Sequence, residues 1–156
     1  AAGTTILDAT VTSPTILAGT WTNIIISVDL ANAANRHITI ANAAATVTWT
    51  TYTNDTIDFA NAQPAVGSND GGSVAKYNGD MAELYINYAA YIADKTKFIT
   101  ALGKPEDLGK NGSTPTGSQP IGYFTGDTDS WQINRGSGGG LTENGTLTTS
   151  TTSPSD

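Results

Sequence analysis

The stretch YNGDMAELYINYAAYI, Tyr77 to Ile92, admits two readings, and the choice between them decides the fold. Met81, Ala82, Glu83 and Leu84 are good helix formers, so propensity favours a helix. The pattern favours a strand: Ala82, Leu84 and Ile86 alternate with Met81, Glu83, Tyr85 and Asn87, a period of two. On a helix, Asp80 and Glu83 would share a face as a candidate acid/base pair. On a strand they point to opposite faces.

The flanking sequence supports the strand. TTILDATVT (Thr4 to Thr12) reads as a first strand closed by Ser13-Pro14, and WTNIIISVDL (Trp21 to Leu30) is the strongest strand signal, β-branched and aromatic. One face of it carries Thr22, Ile24, Ile26, Val28 and Leu30, and this almost wholly apolar face is expected to meet a core. RHITI (Arg36 to Ile40), ATVTWTTY (Ala45 to Tyr52), TIDFA (Thr56 to Ala60), AVGS (Ala65 to Ser68) and the loop NDGGS (Asn69 to Ser73) follow at short spacing. Short strands separated by turn signals predict an all-β, antiparallel sandwich or barrel. In that rhythm Asn78-Gly79 is a turn leading into a strand, with Ala82, Leu84 and Ile86 turned to the core.

Beyond Ile92 the character changes. ADKTKFITALG predicts one short helix near 94–102, with Asp94 as N-cap and Gly103 just past its end. A Gly/Pro-rich loop leads to a short strand in PIGYFTG (Pro120 to Gly126), and LTENGTLTT (Leu141 to Thr149) reads as a last one. GSGGG (Gly136 to Gly140) reads as a flexible join and STTSPSD as a loose tail. The organisation expected is a β core over 1–92 and a C-terminal extension over 93–156.

Composition narrows the function. With 156 residues the chain has the length of one domain. Charged residues are 13% of it, against about 25% in average domains, and Thr, Ser, Asn and Gly take their place. The net charge of −7 and scattered lysines argue against nucleic acid as a partner. The absence of cysteine removes disulfides, thiolate metal sites and a cysteine nucleophile. The longest apolar runs, such as Ile24-Ile25-Ile26, are too short for a membrane-spanning helix. No signal peptide or initiator Met is visible, which fits an N-terminus removed or left out.

The succession WTNIIISVDL, RHITI, AVGSNDGG, YNGDMAELYI resembles the laminin-G/concanavalin-like jelly roll over roughly the first 90 residues. The remainder, KFITALGKPEDLGKNGSTPTGSQPIGYFTGD followed by GSGGGLTENGTLTTS, resembles the end of lectin-like proteins encoded by tailed bacteriophages. Such jelly rolls carry several more strands ahead of the one at Thr4 to Thr12. The resemblance therefore implies either the C-terminal part of a longer chain or strands supplied from elsewhere. An isolated half sandwich exposes strand edges and half a core. The resemblance also implies a non-enzymatic virion protein acting by binding: a head-decorating, head-fibre or tail-fibre module, oligomeric, on the particle surface. A carbohydrate-binding adhesin is the first alternative and a glycoside hydrolase the last.

Candidate chemistry is sparse. Concanavalin-like glycosidases are expected to hold paired carboxylates as E-x-[DE] on one strand face, and no such pair occurs here. His37 is the single histidine, so a His-rich metal site is impossible and no Ser/His/Asp set can be assembled from sequence. Asn69-Asp70 and Asp127-Thr128-Asp129 offer oxygen ligands that would suit calcium, or equally are turns bonding their own backbone. Asp55 and Asp58 are similarly ambiguous. Tyr77, Tyr85, Tyr88, Tyr91 and Trp131 could stack on sugar rings or pack within the protein. The expected glycan or partner contacts are Asn69, Asp70, Tyr77, Tyr88, Tyr91 and Trp131, with Asp127 and Asp129 the calcium candidates and no catalytic residue.

Overall fold

A computed structural model of the chain describes residues 5–57, 65–68 and 76–155. Its architecture is nearly all-β, and every strand pairing is antiparallel. Strand β1 (Leu7–Ser13) pairs with β5 (Thr46–Tyr52); β2 (Ile24–Val28), β3 (Arg36–Ile40) and β4 (Ala43–Ala44) form a second sheet; β6 (Leu84–Ile86) pairs with β7 (Gly122–Phe124). Asp58, Asn69, Asp70, the NDGGS loop and the end of TIDFA lie outside the described residues; Thr56 and Ile57 carry no strand, and Ala65 to Ser68 form a bend.

Alternation sets the first sheet. Along β1, Leu7, Ala9 and Val11 are half-buried while Asp8, Thr10 and Thr12 are exposed. Opposite them, Val47 and Trp49 on β5 turn inward, with β-bulges at Asp8/Ala9 and Val11/Ser13 absorbing the register shifts. The Arg36 guanidinium, from β3, lies 5.1 Å from the Trp49 ring centre and 4.8 Å from that of Tyr52. These cation–π contacts join the two sheets. The Tyr52 hydroxyl adds a 2.7 Å bond to the Asp29 carbonyl.

The second sheet departs from expectation. Ile24 and Ile26, predicted to face a core, are 53% and 62% exposed. Their cross-strand partners Ile40 and Ile38 are 5% and 8% exposed on the same face. The cause is position: β3 is the central strand, and β2 is an edge. Between β3 and β4, Ala41 and Asn42 take φ of 49° and 64°, the left-handed pair that a two-residue hairpin needs. Asn23 holds this turn, its carbonyl accepting from Ala41 N–H and its Oδ1 from Asn42 N–H, each at 3.1 Å.

The expected helix over 94–102 is a single 3-10 turn, Lys95–Lys97. Asp94 caps it as predicted, its carboxylate accepting from the Thr96 N–H and hydroxyl. The chain then turns back on itself: Ile99 bridges Pro105, Glu106 N–H donates to the Phe98 carbonyl, and Thr100 N–H to that of Lys104. Three β-branched residues, Thr96, Ile99 and Thr100, weaken any longer helix. The stretch Tyr77 to Ile92 is not helical, and its strand is confined to Leu84–Ile86.

C-terminal to Phe124 the structure is irregular but pinned. No strand forms over Leu141 to Thr149, where the Glu143 carboxylate accepts from the Leu147 N–H around Gly145 and replaces a ladder bond. Gly136 to Gly140 is not a free join. The Ser137 and Gly138 amides donate to the carbonyls of Pro120 and Ile121, and a Cβ on Gly136 would sit 2.7 Å from the Pro120 oxygen. Close backbone approach is therefore what the glycines provide. Asn134 staples the arrangement, accepting from Tyr123 and Gly136 amides and donating to Ile121 and Gly139 carbonyls. The tail is tied as well, through Trp21 Nε1 to Thr152 Oγ1 at 3.0 Å and Lys104 Nζ to the Ser155 carbonyl at 2.8 Å.

The core consists of Ile38, Ile40, Ile99, Leu108, Tyr123 and Phe124, with Pro115 and Pro120 fully enclosed.

Candidate functional site

An open groove of about 1090 Å³ runs between several segments of the chain. One bank is Ile16 to Ser27, ending in β2; the other is Tyr77 to Tyr85, leading into β6; Thr152 and Pro154 of the tail join the rim. Ile92, Phe98, Ile99 and Leu108 contribute apolar surface from the core. Ile16, Leu17, Ile24, Ile26, Tyr77 and Met81, all lining the groove, are exposed large hydrophobics. Contiguous apolar surface of this kind marks an interaction site.

Two carboxylates, Asp80 and Glu83, are the charged residues of the lining. They are held by different segments. Ser150 Oγ donates to Asp80 Oδ2 at 2.9 Å, and Thr125 Oγ1 to Glu83 Oε1 at 3.1 Å. Crowding by surrounding protein lifts the Glu83 carboxyl above its ordinary pKa, although the residue keeps solvent-exposed surface. The Thr125 bond opposes that rise and the charge of Asp107 adds to it. The carboxylate that acts on Glu83 is thus Asp107, far away in sequence, where nothing local could have flagged it. The Tyr123 hydroxyl is itself raised by burial and by the Glu83 charge. The Tyr85 hydroxyl is buried and finds no hydrogen-bond partner among the described residues. A raised carboxyl is what a general acid needs, but glycoside hydrolysis also needs a positioned second carboxylate.

The predicted contacts scatter. Tyr77 is exposed on the groove bank, with its hydroxyl donating to the Asp80 carbonyl at 3.2 Å. Tyr88 is exposed outside the groove lining. Tyr91 turns inward, its hydroxyl 3.2 Å from His37 Nδ1 and the two rings edge to face. Trp131 is half-buried on Phe124 and donates from Nε1 to the Ala82 carbonyl at 2.7 Å. Burial lowers the His37 pKa, and its buried Nε2 finds no hydrogen-bond partner among the described residues. Ser27 is its cross-strand neighbour, but the Ser27 hydroxyl is engaged by the Ile92 N–H.

The calcium candidates are built into a turn. Asp127 Oδ1 accepts from Ser130 Oγ at 2.7 Å, and its carbonyl from the Ser130 and Trp131 amides; Asp129 is exposed and its carbonyl accepts from Gln132. Asp55 accepts from the next amide, that of Thr56. Among the described residues no three His, Cys, Asp or Glu side chains gather to hold a metal ion, and no helix is long and apolar enough to cross a membrane. Comparison with known proteins yields no match, whether to a protein family, a curated protein or a solved structure.

Proposed function

We propose that this protein is a non-enzymatic binding module of a tailed-bacteriophage virion, a capsid-decorating, head-fibre or tail-fibre component. The phage setting rests on the sequence resemblance. The binding role rests on one observation: an open groove whose lining includes the exposed apolar side chains of Ile16, Leu17, Ile24, Ile26, Tyr77 and Met81. A weakly charged Thr/Asn-rich surface suits packing against neighbouring subunits of the same or another kind. In this reading the particle surface is its location, and assembly its purpose.

Antibodies raised against the purified chain test it by immunogold labelling of the particles that carry its gene. Decoration of the head or tail surface is the expected result. Unlabelled particles overturn the reading, as does hydrolysis of a glycan by the purified protein that disappears in both Glu83→Gln and Asp107→Asn.

A second reading, a carbohydrate-binding adhesin, draws on Tyr77. This exposed ring stands on the groove bank beside Asn78 and Asp80, an aromatic face with polar groups next to it. A glycan array answered by the native protein and lost in Tyr77→Ala would favour this reading.

A further inference from the structure

We propose that the groove is a strand-acceptor site: one extended, apolar segment of a separate polypeptide, flanked by Lys or Arg, adds to the free edge of β2. The inference deepens the binding role above and rests on it.

The backbone of β2 supplies the first observation. Asn23 and Asp29 are hydrogen-bonded to the β3 side, through Ala41 N–H to the Asn23 carbonyl and Asp29 N–H to that of Asn35. In an antiparallel ladder the bonded positions alternate, so Ile25 and Ser27 also face β3. The N–H and C=O groups of Ile24, Ile26 and Val28 therefore point to the other edge, where no strand pairs with them among the described residues. An edge of this kind is a template for another strand.

The side chains supply the second. A strand laid along this edge would meet exposed Ile24 and Ile26 on one face and, on the other, Ile92, whose N–H is bonded to Ser27 Oγ. Because side chains alternate between faces, both sets on the guest should be apolar.

Charge supplies the third. The charged groups of the lining are Asp80 and Glu83, both acidic. A second copy of a chain with net charge −7 is a poor electrostatic match, whereas a segment with cationic flanks is a good one.

The test uses the full chain and the peptide Lys-Val-Ile-Val-Ile-Val-Lys, fluorescein-labelled and N-methylated at alternate residues so that it bonds along one edge only. Fluorescence anisotropy should report saturable binding, weakened at least ~10-fold by Ile26→Lys and about 3-fold or more by combined Asp80→Asn and Glu83→Gln. A peptide with Glu in place of both Lys should bind more weakly than the parent. Amide exchange at Ile24, Ile26 and Val28 should slow on binding. Absence of binding at millimolar peptide overturns the inference, as does binding indifferent to Ile26→Lys or without protection of those amides. So does dimerisation of the protein that Ile26→Lys abolishes, since a second copy would then be the occupant. Because Ile26 is exposed, its replacement should leave the thermal transition in place; if it does not, the comparison is made with Ile24→Lys. Particles labelled by antibody despite peptide failure would refute the strand site while leaving the virion role intact.

Discussion

Strands β2 and β3 carry nearly the same chemistry and meet opposite fates. Each presents two isoleucines to the same face of one sheet, and the pairs lie directly across from each other, Ile24 against Ile40 and Ile26 against Ile38. On β3 they are buried, and on β2 they face solvent. Hydrophobicity is equal, so hydrophobicity is not what separates them. The difference is that β3 has strands on both sides and Arg36, bridged to Trp49 and Tyr52, tying it to the first sheet, whereas β2 ends its sheet at an open groove. Burial here is a property of place.

That contrast can be broken by mutation. Ile40→Ala should cost about 3 kcal/mol in a denaturant unfolding experiment, because it removes a packed side chain and leaves a cavity. Arg36→Ala, which removes the stack on both rings, should cost about 1 kcal/mol and change the Trp49 environment in near-ultraviolet circular dichroism. Ile26→Ala should cost about 0.5 kcal/mol or less, since its side chain is mostly in water already. Equal losses at Ile40 and Ile26 would mean that β2 is covered in solution.

The smallest effect sharpens the contrast by pH. His37, on β3, has its pKa lowered from 6.5 by burial. The native state then resists a proton that the unfolded chain accepts, so its contribution is fully present above pH 6.5. It is lost as pH falls toward and through the lowered native value. Thermal stability should therefore drop between about pH 7.5 and 5.5, and His37→Gln should flatten that part of the profile. An unchanged slope in the variant would assign the pH dependence elsewhere.

Much of the fold is legible in local pattern. The runs around Leu7, Ile24, Arg36, Thr46 and Gly122 announce strands through β-branched alternation between turn residues, and strands occupy all of them. Leu84 to Ile86 is a strand despite its helix-forming neighbours, because Tyr85 pairs with Tyr123 and supplies the ladder. What misleads is what needs a partner to decide. The apolar face of IIISV does not say whether its sheet continues, and LTENGTLTT does not say that a Glu143 carboxylate will replace ladder bonds. GSGGG looks loose until the Pro120 and Ile121 carbonyls it packs against are known. The site was harder still. Tyr77 was legible as an exposed aromatic, but Tyr91 and Trp131 look alike in sequence and are committed to His37 and Ala82. The charge of Asp107 acts on Glu83 from another segment, an influence that no spacing encodes.

The tail ties have a kinetic consequence. Thr152 and Pro154 line the groove, and the tail is held there by exposed hydrogen bonds that Trp21 and Lys104 donate to it and that its own Ser150 donates to Asp80. Each such bond is worth about 1 kcal/mol, so this segment opens long before the strands do. The groove therefore has a fixed jamb, built from β2, and a hinged one. A cross-link that held the segment around Thr152 in place would therefore slow the entry of anything that binds there.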